Sequence, residues 1–294
     1  MKKILVLISF VTISLSSFSQ VLDGMFPYYE KGKVKKSDFR KMSYAISPDA
    51  DAIVLEEHIR ITPSLVDIKS FLVNGTTSPM TVTETVWRKI KILTDAGVAR
   101  ANVVIECPEK KVRCNKDSIE AYSYSLEDNK VVKSQLYSKQ INIENMADGT
   151  TRLSFEIPNA KNGSIIEYGY TRSFIAIDSY YDCLMQSDMP KLKSECYITV
   201  NEKYHQAFHC IALGGVGMEI NKSTTLDWWI SPPIQYGNMT AQNSIKYYHS
   251  RNGGVTYGDT LFTTYSFATE NLSAAQSTSD DVGVKVLFTD AAVK

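Results

Sequence analysis

Long apolar runs are scarce in this chain of 294 residues, and so is any excess of charge of one sign. Beyond Leu15 no stretch is apolar enough to fill the roughly 20 residues that a membrane helix needs, so no membrane span is expected once the leader is gone, and the mature protein is expected to be soluble. Acidic and basic residues number 32 each, which leaves no long-range pull on nucleic acid or an anionic surface. Nucleic acid is therefore not an expected partner. The one basic cluster, Lys31 to Arg40, is diluted by Glu30 and Asp38 and reads as a solvated arm. Internal repeats and low-complexity linkers are also missing. So are the crossover helices that a parallel α/β sheet requires, which excludes that fold class.

What is present begins with Met1-Lys2-Lys3, the apolar run Ile4 to Leu15 and then small residues, the order of a secretory signal peptide. Ser17 and Ser19 place cleavage after Ser19, so residues 1–19 form the leader and the mature chain starts at Gln20. A run of about a dozen apolar residues is too short for an anchor, and no cysteine follows it to accept a lipid. The expected location is outside the cytoplasm, in the periplasm or at the cell surface, with the missing lipid site favouring the periplasm.

Alternation of period two recurs in many short segments and argues for sheets. Ile53 to Ile61 reads as a strand. Thr81 to Leu93 is the clearest, with Val86, Ile90 and Ile92 on one face and Trp87 on the other. Thr94-Asp95-Ala96-Gly97 then makes a turn in which Gly97 supplies a positive φ, and Val103 to Glu106 follows. Ile119 to Leu126 and Val131 to Tyr137 flank Asp128-Asn129 as a hairpin. Asp148-Gly149 and Asn162-Gly163 frame Arg152 to Ile157 and Ile165 to Arg172. Further strands are expected at 195–200, 207–213, 219–220, 225–230, 244–249, 260–268 and 282–288. Only Ser37 to Tyr44 looks helical, with Ser37 as N-cap and Phe39 and Met42 on one face. The fold class is all-β with minimal helix: a large antiparallel β-sandwich or two stacked sandwiches. Residues 20–45 form an arm with the short helix. Residues 46–290 form the sandwich region, with a sub-boundary near 200–215.

Five cysteines, Cys107, Cys114, Cys183, Cys196 and Cys210, lie in the mature region, and an odd number cannot all pair within one chain. Cys107 and Cys114 stand at either side of a polar turn and are the first candidate disulfide; closing so short a loop stabilises by about 2.5 kcal/mol. The alternative is two unpaired cysteines on neighbouring strands. Cys196 and Cys210 flank a hairpin and are the second candidate pair.

The segment Phe155-Glu-Ile-Pro-Asn-Ala-Lys-Asn-Gly-Ser-Ile-Ile-Glu-Tyr-Gly-Tyr170 resembles the core motif of the family catalogued as domain of unknown function 3857 (DUF3857). Asp49 to Leu55 resembles that family's opening strand, and Arg88 to Gly97 its next strand and turn. Gln186, Met189-Pro190 and Ser194-Glu195 match the stretch after the core. The resemblance covers about Lys33 to Val200. It continues weakly at Tyr265-Ser-Phe267 and Asn271 to Ala274, with Ser273 where the family has Pro and Cys183 and Met185 where it has aromatics. It implies an exported β module of the kind that precedes a transglutaminase-like cysteine-peptidase domain, whose Cys, His and Asp come later in the chain. Within the motif Pro158 ends a strand, Asn162-Gly163 turns it, and Glu167 sits on the polar-facing side as either a solvated or salt-bridged residue or a buried ligand-binding carboxylate.

Chemistry-bearing constellations are few. Cys183 or Cys196, then His205, His209 or His249, then Asp259 occur in the order of a cysteine-peptidase triad, but the cysteines sit in strand-like segments rather than at a helix N-terminus that would lower a thiol pKa. No catalytic residue is assigned. His205 and His209 on one strand lie about 13 Å apart, too far for one zinc, and Gly214-Gly215-Val216-Gly217 lacks the Lys and helix of a phosphate loop. No metal site or cofactor is read. Trp228 and Trp229 point to opposite faces of their strand, so either one ring stacks on a sugar or grips a peptide, or one fills the core while the other is covered by the Pro232-Pro233 loop, or both are buried between two sheets. Three functions stay open: a non-catalytic module that binds or positions a partner, whether protein or glycan, a glycan-binding module using Trp228 or Trp229, and the front half of a transglutaminase-like cysteine peptidase whose catalytic domain is absent.

Overall fold

The structure is a computed structural model; it describes residues 31–65, 80–107, 112–114, 116–176, 180–201, 208–213, 219–226, 248–251, 254–257, 261–274 and 283–288. Strands dominate: β1 (Ala52–Leu65), β2 (Met80–Ile92), β3 (Asn102–Cys107), β4 (Val112–Cys114), β5 (Glu120–Glu127), β6 (Lys130–Gln135), β7 (Asn142–Asn145), β8 (Thr151–Glu156) and β9 (Ile165–Ala176) lie in the first part of the chain. They are followed by β10 (Tyr180–Leu184), β11 (Lys191–Asn201), β12 (Phe208–Leu213), β13 (Glu219–Leu226), β14 (Tyr248–Arg251), β15 (Gly254–Tyr257), β16 (Leu261–Leu272) and β17 (Gly283–Phe288). The central sheet is nine-stranded in the order β13-β16-β11-β1-β2-β9-β5-β6, with β4 also on β9. Two three-stranded sheets, β3-β8-β7 and β10-β17-β12, and the β14-β15 ribbon complete it.

The all-β, sandwich-like architecture is as the alternation predicts, with one departure from a purely antiparallel arrangement. β1 and β11 pair in parallel, from Val54 opposite Lys191 to Ile61 opposite Ile198. Such pairing needs a long connection between the two strands but not a helical one, and here the connection is itself made of strands β2 to β10. Short strands β4, β7, β10 and β15 escaped the alternation pattern, because three to five residues carry too little periodicity to register. Segments 219–220 and 225 onward belong to one strand, β13, which runs unbroken through Leu226.

Over β1, β2, β5 and β9 both faces of the central sheet are covered. On one face Val54, Ile90, Ile92 and Ile166 pack with Val103, Ile105, Leu153 and Phe155 of the β3-β8-β7 sheet, each large side chain contributing about 1.5–3 kcal/mol of apolar burial. Against the other face lies the chain before β1. There Phe39 packs with Trp87, Tyr122, Tyr124, Ile165 and Tyr197, while Tyr44 packs with Ile53 and Leu93. The arm is therefore docked, which corrects the reading of a solvated tail: its lysines Lys33, Lys35 and Lys36 are exposed, but Phe39 is buried. Its helix, α1 (Lys36–Arg40), is shorter than expected and starts after Lys35, whose N–H donates to the Asp38 carboxylate at 2.8 Å. Met42 is exposed and shares no face with Phe39, because the helix ends at Arg40.

Turn chemistry explains the local joins. Asp128 and Asn129 take φ of 46° and 58° between β5 and β6, the pair of positive values that a two-residue hairpin favours. Gly149 and Gly163 also have positive φ. Gly97 does not, contrary to expectation; it is needed because a Cβ there would lie 2.0 Å from the Asp51 carbonyl oxygen, the acceptor for the Leu93 and Thr94 amides.

Candidate functional site

Alternation places a polar row on the arm-facing side of the sheet, and the arm converts that row into a buried one. Glu167 of β9 is fully buried, so its solvated alternative is excluded and its salt-bridged one holds. Its carboxylate accepts from the Tyr124 hydroxyl at 2.9 Å and the Gly32 amide at 3.1 Å, and Lys89 Nζ stands 3.4 Å away. Burial and the adjacent Glu167 charge push the Tyr124 phenol well above its ordinary range. Lys31 ion-pairs with Glu120 and lies 5.2 Å from the Trp87 ring centroid, an arm cation seated over a sheet aromatic. Lys91 Nζ donates to the Phe39 carbonyl at 3.1 Å and the Gly163 carbonyl at 2.6 Å, clamping α1 to the β8–β9 turn. Burial lowers the Lys91 pKa to about 8.

Farther along the same face His58 of β1 is buried, with Nδ1 3.0 Å from Glu195 Oε2 and Nε2 3.8 Å from Glu56 Oε2. Tyr197 stacks on its ring at 6.5 Å. Burial alone would lower the His58 pKa, but the two carboxylates outweigh it and the net shift is upward. Glu195 moves the other way, down to about 2, because His58, Lys193 and Tyr197 together overcome its burial.

The opposite face carries a second ionic group. Glu57 is fully buried; it accepts from Lys191 Nζ at 2.5 Å, the Ser194 hydroxyl at 2.8 Å and Arg88 Nε at 2.5 Å. Burial opposes its charge, yet Arg88 and Lys191 prevail and hold its pKa at about 2. Beside it Cys183 of β10 and Cys196 of β11 are buried with their sulfurs 3.3 Å apart. The Cys196 contact, then burial, raises the Cys183 thiol well above its ordinary range, the reverse of what activates a nucleophile.

Of the residues singled out in the sequence, Cys107 is disulfide-bonded. The Cys114 and Cys210 side chains lie outside the described residues, so the Cys107–Cys114 bridge stands as a proposal. The Cys196 sulfur stands 3.3 Å from that of Cys183, and the Cys196–Cys210 pairing rests on a Cys210 side chain that lies outside the described residues. Trp228, Trp229, His205 and Asp259 lie outside the described residues, as do the side chains of His209 and His249. Among the described residues no group of three or more His, Cys, Asp or Glu is placed to hold a metal ion. Missed in the sequence were His58, Glu195, Glu57 and Lys191. Their signal was present, because Glu56-Glu57-His58 sets charge on both parities in mid-strand, which a half-exposed strand has no reason to do.

Away from these buried groups lie two adjoining shallow grooves, one over the β3-β8-β7 sheet and one beside β6 of the central sheet. One is lined by Val104, Asn142, Ser154 and Glu156 and the other by Lys133 and Tyr137, and Gln140, Pro158 and Asn159 line both. Val104 and Tyr137 are 54% and 60% exposed there, and β7 pairs only with β8 among the described residues.

No family model matches the chain, and no curated protein matches it in sequence. Its fold is similar to that of a candidate protease from Parabacteroides distasonis, at a TM-score of 0.51 and 10% identity over 81% of this chain and 40% of that one. An M1 zinc metallopeptidase from Deinococcus radiodurans aligns at a TM-score of 0.33 and 10% identity over 81% and 42%. A candidate nutrient-binding protein from Legionella pneumophila aligns at 0.27 and 10% over 81% and 67%. The chain thus spans less than half the length of the first two structures, and at this identity the likeness to the Parabacteroides protein establishes the fold alone.

Proposed function

We propose that this is an exported, non-catalytic β-sandwich module that binds or positions a protein partner. The observation that carries the reading is the pair of adjoining grooves, one over β3, β8 and the edge strand β7 and the other beside β6, where Val104 and Tyr137 stay exposed while the ionic groups of the central sheet are enclosed. An edge strand accepts an extended segment through main-chain hydrogen bonds, and flanking side chains set its specificity. Two further points support a positioning role beside a larger enzyme. The Parabacteroides structure is described as a candidate protease, and this chain corresponds to 40% of it; the resemblance of Phe155 to Tyr170 to the DUF3857 core motif points to a module that precedes a transglutaminase-like domain. Export rests on the leader-like residues 1–19.

The purified chain assayed for peptide hydrolysis and for acyl transfer to a primary amine should show neither. Activity abolished by Cys183→Ala or Cys196→Ala would overturn the non-catalytic reading.

A further inference from the structure

We propose that Cys183 and Cys196 are joined by a disulfide in the exported protein, a covalent staple between the β10-β17-β12 sheet and the central sheet. Their sulfurs are already 3.3 Å apart and both side chains are buried. A disulfide bond is about 2.05 Å long, so the remaining approach is about 1.3 Å, within reach of small side-chain rotations. The two strands otherwise belong to different sheets: Cys183 pairs across to Val284 of β17, and Cys196 sits between Ile59 of β1 and Phe267 of β16. The bond therefore ties together layers that no backbone ladder connects among the described residues. Cys210 is badly placed to compete for Cys183. It lies on β12, two strands from β10 and two residues out of step, which puts the Cα atoms about 12 Å apart, beyond the 7 Å limit for bridging.

The step needs an oxidant, which is a low-molecular-weight or protein disulfide of an oxidising compartment. One cysteine thiolate attacks that disulfide, forming a mixed disulfide and expelling one thiol of the oxidant. The second cysteine, losing its proton to solvent, then attacks the protein-side sulfur and expels the other thiol. Two protein thiols become one disulfide while the oxidant disulfide becomes two thiols. The Cys196 contact and burial raise the Cys183 thiol, and burial closes off access, so oxidation belongs to the folding chain before the two side chains are enclosed. The finished bond is then sealed from reductants.

The test is peptide mapping of the mature chain secreted into an oxidising periplasm, alkylated under denaturing conditions without reduction. Trypsin cuts after Lys191 and Lys193, leaving Cys183 in 173–191 and Cys196 in 194–203. The expected result is that these peptides are joined, and separate only after reduction. Finding both cysteines alkylated, or Cys196 joined to Cys210, overturns the proposal. As a second measurement, Cys183→Ala/Cys196→Ala should lower the Tm of the oxidised protein by on the order of 5 °C; an unchanged Tm counts against a closed bond. Linkage is read here rather than activity, so this result stands or falls apart from the functional reading.

Discussion

Gly169 shows how a single position in the motif from Phe155 to Tyr170 is dictated by a partner distant in sequence. It pairs across to Trp87, and a Cβ on it would come within 1.9 Å of the indole. Gly169→Ala must therefore displace a ring that is 1% exposed, and it should destabilise by about 1–3 kcal/mol in denaturant unfolding. Glu57 is the electrostatic counterpart. Glu57→Ala leaves the Lys191 ammonium buried with its carboxylate partner gone, so a loss of about 3–5 kcal/mol is expected. A double variant that also carries Lys191→Met should recover part of that loss, since an apolar side chain needs no counter-charge; if it recovers none, the pair is not the source of the cost. Neither role could be read from the local sequence. Glycine in a strand and glutamate in a strand each admit several explanations, and only the cross-strand neighbour selects one.

Among the elements, the arm with α1 departs furthest from expectation. Its composition is that of a solvated tail, yet it covers the Glu167 row through Phe39, the Gly32 amide and the carbonyls that receive Lys89 and Lys91. Backbone groups make most of these contacts, and a reading based on side-chain type does not see them. Phe39→Ala removes the apolar anchor and should loosen the arm by about 3 kcal/mol. Limited trypsin digestion at Lys33, Lys35 and Lys36 should then run faster while the rest of the sheet stays intact; unchanged rates would show that the arm is held without Phe39. The hairpin of β5 and β6, by contrast, was fully legible, because Asp128-Asn129 between alternating segments specifies its turn through local sterics.

Acid stability of the whole molecule follows from the buried pairs. Glu57 and Glu195 have folded pKa values near 2 against 4.5 ordinarily, so each contributes on the order of 3 kcal/mol above about pH 4.5, lost as pH falls toward 2. His58 works in the other sense. Its folded pKa is raised, so its contribution is complete below its ordinary value of 6.5 and is lost as pH rises through the folded value. Lys91, lowered to about 8 from 10.5, instead favours the folded state as pH climbs across that interval. Denaturant unfolding from pH 2 to 10 should show a steep acid limb, flattened by Glu195→Gln; an unaltered limb would remove Glu195 from the account. Sequence by itself determined the strand-rich class, the hairpin turns and the leader-like start, because period-two alternation and turn sterics act within a few residues. The parallel β1–β11 pairing, the meeting of Cys183 with Cys196 and the enclosure of His58, Glu57 and Glu167 were decided by tertiary structure, since each joins groups that the chain brings together only by stacking sheets and laying its arm across them.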